Sequence, residues 1–275
     1  MKQFYYQTHD RQACQGISSG LFHSRYLVDV HAHICDPGFD KDRGKVLERA
    51  RKAGVVAIIA VGEDLSNARK NLELAKKHSI LKPTAGLYPT YLNRDLAAEM
   101  ADFIYKNRSH LVAIGEVGLD YWKVKKESEK EVQREIFKLF IELSKEIKLP
   151  LNIHSRSAGR HALTLLLENN ATQVHMHAFD GKAATAMPGV EAGYFFSIPP
   201  SVIRSRQKQK LVKQLPLSCL LIETDSPVLG PIASERNEPA NIFHSIRAIA
   251  QLKHISEEEV ISVVKKNTER LYGTL

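Results

Sequence analysis

Leu27-Val-Asp-Val-His-Ala-His33 is an apolar run that ends in two histidines. Runs of this kind, rich in valine and leucine, favour an extended strand. Along a strand, residues i and i+2 face the same way, so His31 and His33 project side by side at its end. Two imidazoles so placed can share one metal ion. The plainer alternative is a pair of partly buried histidines with ordinary hydrogen bonds. The choice depends on what the rest of the chain brings to the same place.

Downstream of His33 a rhythm sets in. Apolar, β-branched runs alternate with amphipathic runs of helical period. The strands are expected at Leu27–His33, Val55–Gly62, Leu81–Tyr88, Leu111–Leu119, Leu151–His154, Gln173–Ala178, Gly193–Ile198 and Cys219–Thr224. Helical patterns fall at Lys41–Lys52, Leu65–Lys77, Leu96–Lys106, Glu127–Ile147, Arg160–Glu168, Ala183–Glu191, Ser205–Leu215, Ile242–Leu252 and Glu257–Leu271. Glu127–Ile147 is the longest, with Val132, Ile136, Leu139, Phe140 and Leu143 on one stripe. Asp40, Asp64, Ser157 and Ser256 are suited to cap helix N-termini. Strands that read as continuous apolar runs belong in a parallel sheet covered on both faces. Eight such units over about 250 residues predict an α/β fold, a closed (β/α)8 TIM barrel, spanning residues 27–275. An open doubly wound sheet would need a glycine-rich phosphate turn after its first strand, and this strand ends in His-Ala-His instead.

Residues 1–26 lack this rhythm. They are polar, with Asp10 the one acidic residue, and are expected to form a flexible N-terminal extension. The N-terminus lacks the apolar core of a secretory signal, and no apolar run is long enough to span a bilayer. The three cysteines, Cys14, Cys35 and Cys219, show no paired spacing, which suits a reducing intracellular compartment: nucleus or cytoplasm, with the mitochondrion left open. Cys35 follows His33 closely enough to be a ligand, although a buried free thiol is the commoner fate. The formal net charge of +8 favours a polyanionic partner without naming it.

Catalytic groups of such a barrel sit at the C-terminal ends of its strands. The first strand ends in His31 and His33. The fourth carries Gly115-Glu-Val-Gly-Leu-Asp120, the fifth Asn152-Ile-His-Ser-Arg156, the sixth His177-Ala-Phe-Asp180, and the eighth Glu223-Thr-Asp-Ser-Pro227. Each residue has a structural explanation of its own; Asp225, for example, could cap the following turn. Together they place four histidines, one glutamate and one aspartate on one rim, where folding needs no polar group. Imidazole plus carboxylate without thiolate suits Zn, Mn, Fe, Ni or Co, and Mg if water fills in. Six ligands exceed what one catalytic ion takes, since such an ion keeps open positions. Two ions sharing one bridging carboxylate would use them all, and Glu116, about opposite the first strand, is the natural bridge. His31, His33 and Asp225 would then hold one ion, and His154 and His177 the other.

These five motifs, in this order, resemble the TatD family of metal-dependent deoxyribonucleases, and in particular an animal branch of it. The resemblance runs from about residue 27 to the C-terminus and implies a metal-dependent hydrolase with DNA, single-stranded or abasic, as its substrate. It implies 3′-to-5′ exonuclease action, in some members cleavage at abasic sites, supported by two divalent ions, usually Mg2+ or Mn2+, with Zn2+ an alternative. It assigns His31, His33, Glu116, His154, His177 and Asp225 to the metal centre, with Asp225 as general base and Glu116 as bridging carboxylate.

One departure stands out. Where the family commonly carries Gly-Val-His-Pro-His, this chain has Gly86-Leu-Tyr-Pro-Thr90. Tyr88 can donate a hydrogen bond to a phosphate but carries no positive charge. Arg156, two residues past His154, is expected to clamp a phosphate, with a salt bridge to a rim carboxylate as the alternative. Trp122 is expected to stack on a base or to pack over the rim. Asp180 would orient His177 or cap a turn. Lys123, Lys125 and Lys126, and Arg204, Arg206, Lys208 and Lys210, form basic loops that could track a nucleic-acid backbone. Two other functions fit parts of the pattern: an amidohydrolase acting on a small substrate, and a nucleic-acid-binding relative with impaired catalysis. The first commonly bridges its metals with a modified lysine, where this chain offers Glu116.

Overall fold

A computed structural model describes residues 26–275. The strands are β1 (Leu27–Ala32), β2 (Val55–Ala60), β3 (Leu81–Ala85), β4 (Ala113–Gly118), β5 (Leu151–His154), β6 (Val174–Met176), β7 (Phe195–Ile198) and β8 (Leu220–Ile222). They pair in parallel, in chain order from β1 to β8. The helices are α1 (Arg43–Lys52), α2 (Leu65–Lys77), α3 (Arg94–Asn107), α4 (Glu127–Ile147), α5 (Gly159–Glu168), α6 (Ala183–Glu191), α7 (Arg206–Gln214), α8 (Phe243–Lys253) and α9 (Glu257–Tyr272). The expected (β/α)8 barrel is the fold. Its ends meet just beyond β8: the Asp225 N–H donates to the His31 carbonyl, and the His33 N–H to the Ser226 carbonyl, each at 2.8 Å.

Two apolar layers follow from strands covered on both faces. Val28, Val30, Ala57, Ile59, Phe195 and Leu221 cluster with Leu271 of α9. The larger layer joins strand residues such as Ile58, Ile114, Ile153 and Phe196 to the helices through Leu47, Met100, Phe140 and Leu166. On α4 the stripe is rotated from the expected one. Phe137 and Ile141 join Ile136, Phe140 and Leu143 inside, while Leu139 is exposed at the stripe's edge. Gln133 is buried there with both ends of its amide bonded: Oε1 accepts from the Asp120 N–H and Nε2 donates to the Pro89 carbonyl.

Asp64 and Ser256 cap α2 and α9 as expected. Asp40 and Ser157 do not cap helices. Asp40 follows a 3-10 turn and pairs with Arg43 and Lys70, and α1 begins only after Asp42. Ser157 has φ of 55°, and α5 begins after Ala158. Three acids close together near α1 leave the cap ambiguous in sequence, and the turn at Pro37 decides it.

Tyr26 packs on the C-terminal helix. Its hydroxyl donates to the Leu275 carbonyl at 3.4 Å, and the Lys265 ammonium lies 4.5 Å from its ring centroid. The rest of the expected extension, residues 1–25, and Cys14 with it, lies outside the described residues. Among the described residues no helix is long and apolar enough to cross a membrane.

Candidate metal centre

Strand register aims the ligand-type side chains. On β1, Asp29 pairs with Ile58 and Ala32 with Ala60, so three steps oppose two. The same slip occurs on β4, where Ile114 pairs with Leu151 and Val117 with Ile153. Such bulges re-aim side chains at barrel rims. One lies at His31 and the other at Gly115-Glu116. A Cβ at Gly115 would sit 2.6 Å from that of Asn152, so the backbone here can approach β5 only as glycine. Strict alternation would put Asp29 beside His31. Instead its carboxylate accepts from the Thr224 N–H at 2.8 Å and hydroxyl at 2.5 Å, tying β1 to the segment after β8. Burial, only partly offset by these bonds, lifts the Asp29 pKa to about 8.

The six expected ligands converge. The Nε2 atoms of His31 and His33 are 3.3 Å apart. Each lies 3.5 Å from Asp225 Oδ1. Glu116 Oε2 lies 3.7 Å from His31 Nε2 and 3.4 Å from His33 Nε2. Its other oxygen, Oε1, is 2.6 Å from His154 Nδ1. His177 Nε2 is 3.8 Å from Asp225 Oδ2, and its ring stacks on that of His31 with centroids 3.5 Å apart. His177 and Asp225 stand just past β6 and β8; His177 was expected within the sixth strand, Gln173–Ala178, which in the structure ends at Met176. Ala178 and Asp225 have φ of 38° and 54° there, as the chain leaves the ladder to turn these side chains inward.

Three of the four histidines, His31, His154 and His177, are held through their second nitrogen. His31 Nδ1 donates to Asn152 Oδ1 at 2.9 Å, and the Asn152 amide donates in turn to the Val30 carbonyl. His177 Nδ1 donates to Glu223 Oε2 at 2.7 Å, and His154 Nε2 lies 3.1 Å from Asp120 Oδ2. Such partners set tautomer and ring orientation and raise ligand basicity. Asn152, Asp120 and Glu223 were missed as orienting groups in the sequence, although a signal existed. Asn152 and Glu223 stand two residues before His154 and Asp225, at the spacing that made His31 and His33 conspicuous. Asp180 neither orients His177 nor caps the turn that follows it; its carboxylate accepts from the Ser157 N–H at 2.8 Å and ties the segment after β6 to the one after β5.

Glu223 anchors a chain of bonds through the barrel. Its Oε2 also accepts from the Ser197 hydroxyl at 2.6 Å, and its Oε1 from the Ala178 N–H at 3.0 Å. Ser197 Oγ is 2.6 Å from His175 Nε2, whose Nδ1 is 2.7 Å from the Tyr272 hydroxyl of α9. With its hydroxyl committed to Glu223, Ser197 accepts from His175 Nε2–H, and His175 Nδ1 accepts from Tyr272. Burial holds the His175 pKa well below the usual histidine value, in keeping with a neutral ring.

The donor set fits a divalent cation. Glu116 Oε2 is buried and, among the described residues, has no hydrogen-bond partner. An orphaned carboxylate oxygen is costly in a protein interior unless a cation faces it. Three overlapping groups have ligand atoms within 4.8 Å of one another: His31, His33 and Glu116; His31, His177 and Asp225; and Glu116, His154 and His177. Burial raises the Glu116 pKa, but the His154, His31 and His177 imidazoles outweigh it and hold the carboxyl well below its usual range. Burial also opposes charge on the histidines. Asp225 and Glu116 nevertheless raise His33 to about 9, and Glu116 and Asp120 raise His154 to about 9, whereas burial and the His177 charge keep His31 well below its usual value.

An imidazole must be deprotonated to ligate. A raised pKa therefore means a proton displaced at neutral pH. Metal binding is expected to release protons there, and apparent affinity to rise with pH up to and past about 9, levelling off only once His33 and His154 are neutral in the free protein. Calorimetry in two buffers of different ionisation enthalpy reads the released protons. A binding constant that stays flat from neutral pH to about 9 would contradict this.

Above the cluster lies a cavity of about 500 Å³, lined by residues that include His33, Tyr88, Arg156, Asp180, Lys208 and Asp225. The Tyr88 hydroxyl lies 3.4 Å from both Asp120 Oδ2 and His154 Nε2. Burial and the carboxylates of Glu116 and Asp120 push its pKa up, so it stays a donor. Among the described residues Arg156 pairs with no rim carboxylate: its guanidinium lies 3.8 Å from the ring centroid of Trp122, which is 47% exposed. The lysines of the two basic loops differ in their settings. Lys123, Lys125 and Lys126 are exposed, whereas Lys208 is buried and donates to the Ala178 carbonyl. Burial lowers the Lys208 pKa, against the pull of Glu223, Asp180 and Asp225. Glu63, which the sequence did not single out, also lines the cavity, and burial raises its pKa. Cys35 does not join the centre; its thiol contacts the Val61 carbonyl, and burial pushes it up to about 11.

Comparison with known proteins decides the family. The TatD related DNase family model matches residues 28–273. The chain belongs to the TatD related DNase family. Among curated TatD-type relatives, the human protein named Deoxyribonuclease TATDN3 is 47% identical over 264 residues, covering 90% of this chain and 95% of the relative. A metal-dependent hydrolase of Bacillus subtilis, YabD, is 34% identical and covers 90% of this chain and 98% of its own. The TatD homologue YjjV of Escherichia coli superposes with a TM-score of 0.83 at 25% identity, covering 90% of this chain and 98% of the bacterial one.

Proposed function

We propose that this chain is a metal-dependent deoxyribonuclease that removes nucleotides from the 3′ end of DNA, on single-stranded or abasic substrate, with two divalent ions bridged by Glu116. The coarser statement rests on family membership: the chain is a hydrolase of the TatD type, acting on ester bonds. One observation carries the two-ion reading. The oxygens of one buried carboxylate face different histidines, Oε2 toward His31 and His33, and Oε1 toward His154.

His31, His33 and Asp225 would hold one ion, His154 and His177 the other, with Mg2+ or Mn2+ as the favoured ions. Bound there, the ions would acidify a water and neutralise charge on the phosphoryl oxygens. The protein does the rest. Asp225 accepts the proton of the attacking water, as a carboxylate at the cavity wall can. Asn152, Asp120 and Glu223 hold the three imidazoles in one tautomer each. Arg156 offers donors to a phosphate from the cavity rim while its flat face rests on Trp122. Trp122 is 47% exposed, and its ring, approached at 4.8 Å by the Lys123 ammonium as well, would stack on a base.

Purified protein with Mn2+ or Mg2+ is expected to shorten labelled single-stranded DNA from its 3′ end. Asp225→Asn is expected to lower kcat by about 10²–10⁴-fold while the protein stays folded. Failure to cleave single-stranded, duplex or abasic DNA with any of a panel of divalent metals would sink the nuclease reading. Cleavage retained in the folded variant would remove Asp225 from its role.

A further inference from the structure

Lys208 is 9% exposed, and its ammonium donates to the Ala178 carbonyl at 3.0 Å. Among the described residues it forms no ion pair, although it lines the cavity above the metal cluster. The sequence grouped it with Arg204, Arg206 and Lys210 as a basic loop that could track a nucleic-acid backbone. Arg206 and Lys210 are exposed. Ser205 starts α7 by capping the Lys208 N–H, and this first turn carries the Lys208 side chain inward. A buried ammonium with one carbonyl partner has two further N–H donors. Burying such a charge without a paired anion destabilises the fold, and an apolar residue of similar length would avoid that penalty.

We propose that Lys208 is a phosphate-binding residue, its ammonium donating to a non-bridging oxygen of a substrate phosphate held in the cavity. This rests on the nuclease reading for the identity of the substrate. Two cations then serve the cavity in different ways. Arg156 is at the rim, stacked on an exposed aromatic ring, and can follow a strand as it enters. Lys208 is fixed beside the carbonyl of the residue after His177 and meets an anion only within the cavity. The site favours a phosphate ester over a neutral amide or lactone, because a phosphate oxygen gives the two remaining N–H donors of Lys208 a charged acceptor, where among the described residues no carboxylate lies within ion-pair distance.

Lys208→Met separates this from a structural role. Methionine keeps length and apolar contacts and removes the charge. A lysine needed only for its bond to Ala178 would leave a less stable protein on substitution. A lysine held for an anion would leave a protein at least as stable, with a defect confined to phosphate. The variant is expected to keep or raise its Tm, to lose roughly ten- to a hundred-fold in kcat/KM on oligonucleotide, mainly through KM, and to bind inorganic phosphate more weakly by a similar factor. Phosphate binding is measured by calorimetry on Mn2+-loaded protein, without turnover, so it reads Lys208 even if the wild type cleaves no DNA. Lys208→Arg is expected to recover part of the phosphate binding. Unchanged phosphate affinity in Lys208→Met, or a lowered Tm with phosphate affinity intact, overturns the proposal.

Discussion

Glu116→Gln is expected to lower kcat/KM on DNA by about 10²–10⁴-fold and to reduce bound metal from two equivalents to one or none. The reason lies in the two faces of its carboxylate. Oε2 is an orphan among His31 and His33, and Oε1 is bonded to His154. An amide has one oxygen for two sites and presents N–H donors to the other. It also removes the negative charge that, with Asp225 and Asp120, raises His33 and His154 to about 9. Metal content of the dialysed, reloaded protein and its steady-state kinetics measure both effects. A variant that still binds two ions and cleaves at wild-type rate would show that the carboxylate is not a bridge.

Glu223→Leu is expected to destabilise the fold by roughly 3–5 kcal/mol, in line with removing one partner from a buried charged network. Three donors converge on Glu223: the His177 ring, the Ser197 hydroxyl and the Ala178 amide. Leucine would leave the His177 ring and the Ser197 hydroxyl without this acceptor and the Ala178 N–H with only the Ser197 hydroxyl oxygen at 3.3 Å, at about 1–3 kcal/mol apiece, with some relief as the side chains relax. Against a typical total of about 5–15 kcal/mol, the loss is large. The midpoint of urea unfolding should fall, and the affinity for metal should drop by about 10–100-fold as His177 loses its fixed tautomer. A midpoint within error of wild type would mean that the chain from His177 to Tyr272 carries no stability.

Why the barrel was legible and parts of its centre were not follows from what periodicity encodes. Runs such as Val55–Ala60 announce burial on both faces, and the stripe on α4 announces one covered side. Buried strands need no polar side chain at their ends, so His31, His33, Glu116, His154, His177 and Asp225 stood out as a set. Periodicity does not say which distant polar groups meet. His31 and Asn152 are 121 residues apart, and Asp29 and Thr224 are 195 apart. Alternation also fails at the two bulges, where an extra residue on β1 and on β4 changes which side chains share a face. Lys208 shows the same limit from the other side: a charged residue in a charged run reads as solvated, and only the first turn of α7 against the barrel rim buries it.

The opening stretch Leu27–His33 illustrates the division. Amino-acid order alone specifies a strand that ends in two histidines, because β-branched and apolar residues favour an extended, covered backbone and a period of two sets the histidines side by side. It also specifies the number and order of the units that follow. The meeting of His31 with Asp225 comes from closure, as the residues just past β8 bond to the end of β1. So does the environment that lowers the His31 pKa and raises those of His33 and His154. Local order acts through short-range sterics and burial, whereas ligand sets, tautomers and ionisation depend on groups that only the closed barrel brings within a few ångströms.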